Sequence, residues 1–117
     1  MSQQPLRSWR IFFIAAGAYN LVIGTAVFLA SQWGSPAAIN GVLIFCFGIV
    51  YALVAREPVR FAPALLAGIL GKGMVVAMLG PPNWSGSGDA VVGAIVAGDL
   101  LFAIGFAAFL LRYRSHA

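Results

Sequence analysis

The amino-acid sequence predicts an all-α membrane protein, a bundle of four transmembrane helices with both termini on the cytoplasmic side. Three observations predict it: the apolar composition, four long apolar runs, and arginines on one side only. Of the 117 residues, 62% are hydrophobic and 9% are charged, whereas soluble domains carry roughly 25% charged residues. A water-soluble fold of this size could not cover its surface with so few polar side chains.

Each apolar run is long enough to cross a bilayer, which takes about 20 residues. The predicted helices are about 9–30, 37–55, 61–79 and 90–111, and they make residues 1–117 a single membrane domain. Helices are predicted because the runs are continuously apolar and a helix satisfies its own backbone in hydrocarbon. The first run is expected to be a membrane helix. It exceeds the roughly 7 to 15 apolar residues of a signal peptide, and Asn20 interrupts it.

The breaks between the runs carry residues that end helices. Residues 31–36 separate the first two spans, 56–58 the second and third, and 80–89 the third and fourth. Because Gly and Pro favour turns and helix ends, the third helix is predicted to end before its two consecutive prolines. Asp89 is predicted to cap the fourth helix, where a carboxylate can accept hydrogen bonds from free backbone amides.

Arginines predict the orientation, since cytoplasmic segments of membrane proteins are enriched in Lys and Arg. Six basic residues fall on one side of the predicted membrane and none on the other: Arg7, Arg10, Arg56, Arg60, Arg112 and Arg114. Both termini are therefore predicted to be cytoplasmic, in a bacterial inner membrane. The net charge of +4 does not indicate a nucleic-acid partner, because the arginines stand in pairs between apolar runs rather than on one face.

Lys72 and Asp99 are the charged residues inside the predicted spans. An isolated charge at the bilayer centre costs several kcal/mol, so each needs a partner. At about 1.5 Å per residue, Lys72 lies about 11 Å below the outer end of helix three and Asp99 about 14 Å below that of helix four. We therefore predict an ion pair between these adjacent helices.

Other polar residues fall at a similar predicted depth. Asn20, with Tyr19 beside it, lies near the middle of helix one, and Cys46 near the middle of helix two. The sequence thus predicts a polar layer in which Lys72, Asp99, Asn20 and Tyr19 form a ligand or ion pathway, while Cys46 is interpreted as a small core residue. Glycines near this layer could allow close helix packing or leave space for a ligand; both stay open.

Three short motifs carry a resemblance. Tyr19-Asn20 in helix one, Gly71-Lys72 in helix three and Gly98-Asp99 in helix four together look similar to uncharacterised small bacterial membrane proteins with four helices. The resemblance covers nearly the whole chain. It implies a fold and no activity.

Three functions therefore stay open beside a purely structural role for the ion pair. The first is binding or translocation of a proton, an ion or a small amphiphile at the polar layer of Lys72, Asp99 and Asn20. The second is an accessory subunit of a larger membrane complex, or a homo-oligomer, in the lipid bilayer. The third is a membrane-embedded enzyme acting on a lipid or isoprenoid. Because no catalytic constellation and no metal-ligand spacing are present, a non-enzymatic function is favoured, and no cofactor is identified.

Overall fold

Four α-helices make up the fold in the computed structural model, which describes residues 4–113. They are α1 (Gln4–Leu29), α2 (Pro36–Arg56), α3 (Leu65–Trp84) and α4 (Ala90–Tyr113), with a 3-10 turn at Ala62–Ala64 before α3. All four are long and apolar enough to cross a membrane, and the described residues include no strand. The predicted all-α class with four membrane-length helices is confirmed. The N-in/C-in orientation stays a prediction, and Arg114, one of the residues behind it, lies outside the described residues.

The chain divides into two compact units, the first ending at Ala62 and the second beginning at Pro63. We call them the first hairpin, formed by α1 and α2, and the second hairpin, formed by α3 and α4. Both are antiparallel. In the first hairpin, Gly17 of α1 lies against Gly48 of α2. In the second, the Trp84 side chain of α3 donates a hydrogen bond to the Gly93 oxygen of α4.

Glycines bring the backbones of α1 and α2 into direct contact. A Cβ atom placed on Gly17 would lie 3.0 Å from the carbonyl oxygen of Gly48, and one on Gly24 would lie 2.7 Å from that of Gly41. Each helix places its two glycines seven residues apart, so both fall on one face, and in lipid such small residues let helices pack closely. We call these four glycines the glycine seam.

The short connection between α1 and α2 is set by the residues of the turn itself. Gly34 has a φ of +81°, a left-handed conformation that costs glycine little. Ser35 then caps α2, since its Oγ accepts a hydrogen bond from the backbone N–H of Ala38 at 3.1 Å. Pro36 follows at the first helical position, where the missing N–H would have had no helical partner.

The third helix ends at Trp84 rather than near residue 79, so this predicted boundary is wrong. Pro81 and Pro82 lie inside α3, although proline removes a backbone donor. Side-chain contacts support the extra turn. The Trp84 indole lies against Gly80 so closely that a Cβ there would be 2.8 Å from the ring, and its Nε1 donates to the Gly93 oxygen at 2.9 Å.

Hydrogen bonds also organise the turn into α4. The Asn83 amide donates to the Leu79 oxygen at 2.9 Å, and its Oδ1 accepts from the backbone N–H of Asp89 at 3.1 Å. One oxygen of Asp89 accepts from the N–H groups of Val91 and Val92 at 2.9 and 3.1 Å. Asp89 therefore caps α4, as its position before the apolar run predicted.

Candidate functional site

Lys72 and Asp99 form an ion pair inside the second hairpin. The Lys72 Nζ donates a hydrogen bond to Asp99 Oδ1 at 2.6 Å. The side chains are only 7% and 15% exposed. The contact joins two membrane-length helices, and it is the one that the sequence predicted from the matching depths of the two charges.

Each partner lies on the buried stripe of its own helix. Lys72 follows Leu65 and Gly68 at helical spacing, and all three are buried. Asp99 comes three residues after buried Val96 and four before buried Ala103, so it occupies the same face as they do. The two charges thus stand where this pattern would otherwise place apolar side chains, which is why each needs the other.

An aromatic ring also lies near the ammonium. The Lys72 Nζ lies 5.7 Å from the centroid of the Phe102 ring, within the range of a cation–π contact. Phe102 follows Asp99 by three residues, so one turn of α4 supplies both the anion and the ring. Sequence reasoning did not assign Phe102 to the site; its spacing from Asp99 was the signal that could have done so.

Asn20 is buried in the first hairpin, where it connects the two helices. Its Nδ2 donates to the Ile44 oxygen of α2 at 3.1 Å, and the residue is 5% exposed. Ile44 lies between Gly41 and Gly48, so the hydrogen bond falls within the glycine seam. Tyr19 beside it is half-buried. That Asn20 and Tyr19 share one pathway with the ion pair stays a prediction.

Cys46 differs from expectation. It is exposed on α2, so its interpretation as a core residue is wrong. Position along an apolar helix predicts the depth of a residue in the membrane, but it does not predict which face the residue occupies.

The glycines beside Lys72 have open surroundings, unlike those of the glycine seam. A Cβ on Gly71 or Gly73 would meet no atom within 4 Å. The sequence left two roles open for the glycines, close helix packing or space for a ligand. The glycines of the first hairpin allow close packing, whereas Gly71 and Gly73 leave open space on α3.

A groove of about 220 Å³ lies on the first hairpin. Its lining is apolar and comes from α1 and α2: Gly24, Thr25, Phe28, Gly41, Val42 and Phe45. None of the predicted site residues lines it. Since Asp99 is absent from the lining, this groove gives no support to an enzyme that uses Asp99 on a lipid substrate.

The chemistry available at the ion pair is exchange of protons and of hydrogen-bond partners. Asp99 offers carboxylate oxygens as acceptors, and Lys72 offers an ammonium with three donors. Within residues 4–113, no three His, Cys, Asp or Glu side chains come together in a way that could hold a metal ion. The candidate site is therefore the pair with its adjacent ring.

Comparison with known proteins adds no family to this geometry. The chain has no significant match to a protein-family model, to a curated protein or to a solved structure. What can be said of function therefore rests on the residues and contacts described above.

Proposed function

We propose that this membrane protein binds and translocates a small ligand at the Lys72–Asp99 pair, and that a proton is the ligand. The observation that carries the proposal is the 2.6 Å ion pair between two membrane-length helices. Asn20 and Tyr19 are proposed to add polar contacts along the same pathway. An ion and a small amphiphile are the other ligands that such a polar layer could accept.

The energetics of buried charge favour a working site over a structural lock. A buried ion pair is weak evidence for stability, because well-packed apolar residues in its place are often equally stable or more so. Helix attachment alone therefore does not require Lys72 and Asp99. Ionisable residues within membrane helices commonly mark proton or ion pathways.

A proton fits the geometry best because it needs no cavity. Asp99 can accept a proton on a carboxylate oxygen, and this neutralises the anion that holds the Lys72 ammonium. Release of the proton to the opposite side of the membrane restores the ion pair. The cycle moves one charge and requires only a rearrangement of hydrogen bonds around the pair.

Proton flux into liposomes tests the proposal. The purified protein would be reconstituted with an entrapped pH-sensitive dye, and a potassium diffusion potential would drive protons inward. Wild-type protein should carry flux above that of protein-free liposomes, and the Lys72→Met/Asp99→Leu variant should abolish it. Gly71→Ala is the matched control, because it lies beside Lys72 where a Cβ meets nothing.

The double variant separates function from structure, since it removes both charges and leaves no unpaired group. If it folds, as judged by helical content and monodisperse elution, and still carries wild-type flux, the proposal is wrong. Equal flux in liposomes with and without the wild-type protein would exclude the proton as the ligand. The same assay would then be run with other ions.

Association with another helix is a second candidate function, in a larger complex or a homo-oligomer. The observation that favours it is the open backbone surface at Gly73, where a neighbouring helix could approach closely. Purification in a mild detergent should then yield a stoichiometric partner or an oligomer. Recovery of a lone monomer would contradict this candidate.

We further propose that both termini are cytoplasmic and that the membrane is a bacterial inner membrane. The arginine distribution supports this orientation. In a Cys46→Ser background, Ser31→Cys should react with a membrane-impermeant maleimide added to intact cells. Glu57→Cys should react only after the cells are opened, and the reverse pattern would overturn the orientation.

A further inference from the structure

Exposed arginines gather at one end of the first hairpin. Arg7 and Arg10 lie near the start of α1, and Arg56 is the last residue of α2. All three are exposed. We call them the arginine end. The opposite end of the hairpin, residues 30–35, carries no charged residue.

The register of the glycine seam places two of these arginines at one level. Gly17 and Gly48 are in contact. Arg10 precedes Gly17 by two turns, and Arg56 follows Gly48 by slightly more. At about 1.5 Å per residue, both lie about 10 to 12 Å beyond the contact, on helices whose axes are at most about 10 Å apart. One anionic group can therefore reach both guanidinium groups.

The arginine end also keeps its positive charge. Glu57, the acidic residue nearby, pairs with Arg60 at 3.4 Å. In the part of the chain that the structure describes, no carboxylate forms an ion pair with Arg7, Arg10 or Arg56. Their charge is therefore available to an external anion.

An aromatic group indicates that this end lies at the level of lipid headgroups. Trp9, next to Arg10, stacks on Phe13 with centroids 6.0 Å apart and meets the edge of Phe12 at 5.6 Å. Tryptophans are enriched where hydrocarbon meets headgroups. The anions at that level are lipid phosphates, and guanidinium groups bind phosphate through paired N–H donors.

We propose that the arginine end is a binding site for an anionic phospholipid, whose phosphate is held between Arg10 and Arg56 with Arg7 one turn further out. The inference is independent of the proposed function, since none of the three arginines belongs to the proposed proton pathway. The protein would bind anionic lipid at this site in preference to the zwitterionic lipid of the surrounding bilayer.

Native mass spectrometry of the purified protein tests the site, because bound lipid molecules are resolved by mass. The protein in neutral detergent would be titrated with phosphatidylglycerol and, separately, with phosphatidylcholine. Wild-type protein should bind phosphatidylglycerol in preference. The Arg10→Gln/Arg56→Gln variant should weaken that binding about 25-fold, since each arginine near a membrane surface contributes about a fivefold factor.

The matched control removes the same charge elsewhere. Arg112→Gln changes an exposed arginine outside the site and leaves the Glu57–Arg60 pair intact, so it should retain the wild-type preference, whereas Arg10→Gln alone should lose about fivefold. Arg10→Lys/Arg56→Lys keeps the charge and loses the paired donors, so its affinity should fall between those of the wild type and the glutamine variant. Equal binding of both lipids to wild-type protein would overturn the proposal, as would equal losses in Arg10→Gln and Arg112→Gln.

Discussion

Gly24 and Gly41 face each other across the first hairpin with no space for a side chain on either. A Cβ on Gly24 would lie 2.7 Å from the Gly41 oxygen, and a Cβ on Gly41 would lie 2.9 Å from the Gly24 oxygen. These distances are shorter than ordinary van der Waals contacts, and the obstructing atoms belong to the backbone. Helix α1 can therefore keep its position on α2 only while both residues remain glycine.

Gly24→Ala should accordingly destabilise the first hairpin by about 2 kcal/mol, the usual cost of overpacking, because its methyl group would meet the Phe45 nitrogen at 2.5 Å. Gly71→Ala is the control and should cause no loss, since its Cβ meets nothing within 4 Å. Unfolding in increasing fractions of denaturing detergent, followed by helical content, measures both. Equal stability of the two variants would contradict the close contact at Gly24.

The ion pair predicts a non-additive pattern of stability. Lys72→Met alone leaves the largely buried carboxylate of Asp99 without its ammonium and should cost about 3 kcal/mol. Lys72→Met/Asp99→Leu removes both charges and should recover most of that loss, because no unpaired charge remains. The same detergent titration applies, and a double variant as unstable as the single one would show that the loss comes from the missing pair rather than from an unpaired charge.

The indole of Trp84 should contribute to the last turn of α3. Trp84→Phe keeps an aromatic ring and removes the donor to the Gly93 oxygen, at an expected cost of about 1 kcal/mol. Trp33→Phe is the matched change, since Trp33 is 89% exposed, and it should leave stability unchanged. Thermal unfolding in a fixed detergent compares the two. A neutral Trp84→Phe would mean that the ring alone supports the extra turn.

A hydrogen bond inside the glycine seam gives a further test. Asn20→Leu removes the donor to the Ile44 oxygen, and interhelical bonds of this kind contribute about 1 kcal/mol or less in membranes. Asn40→Leu makes the same chemical change at an exposed position of α2, so it should have no destabilising effect. If the two variants lose the same stability, the bond from Asn20 contributes nothing specific.

The contact between Lys72 and Asp99 was predictable from sequence. A helix has a fixed rise per residue, so the heights of the two charges on neighbouring helices could be compared. Each is the charged residue of its predicted span, so the other was its expected partner. Helix faces were less predictable, because helices that are apolar all round show no stripe that identifies the buried side. That is why Cys46 was expected in the core and lies exposed.

The end of α3 and the glycine seam depend on packing contacts that residue preferences alone do not reveal. Proline signals a helix end from local sterics, whereas the turn that contains Pro81 and Pro82 is supported by the contacts of Trp84 with Gly80 and Gly93. The seam had a readable signal, since α1 and α2 both space two glycines by seven residues. Only the structure shows which glycines face each other.

The separation of 27 positions between Lys72 and Asp99 also has a consequence for biosynthesis. A ribosome needs on the order of seconds to add that length of chain, so α3 emerges with its ammonium well before the matching carboxylate exists. Entering hydrocarbon at that stage would expose an isolated charge, which insertion scales penalise by about 3 kcal/mol. We therefore expect α3 to wait at the translocation machinery and to enter the lipid together with α4, whereas the uncharged stretches of α1 and α2 can enter one at a time.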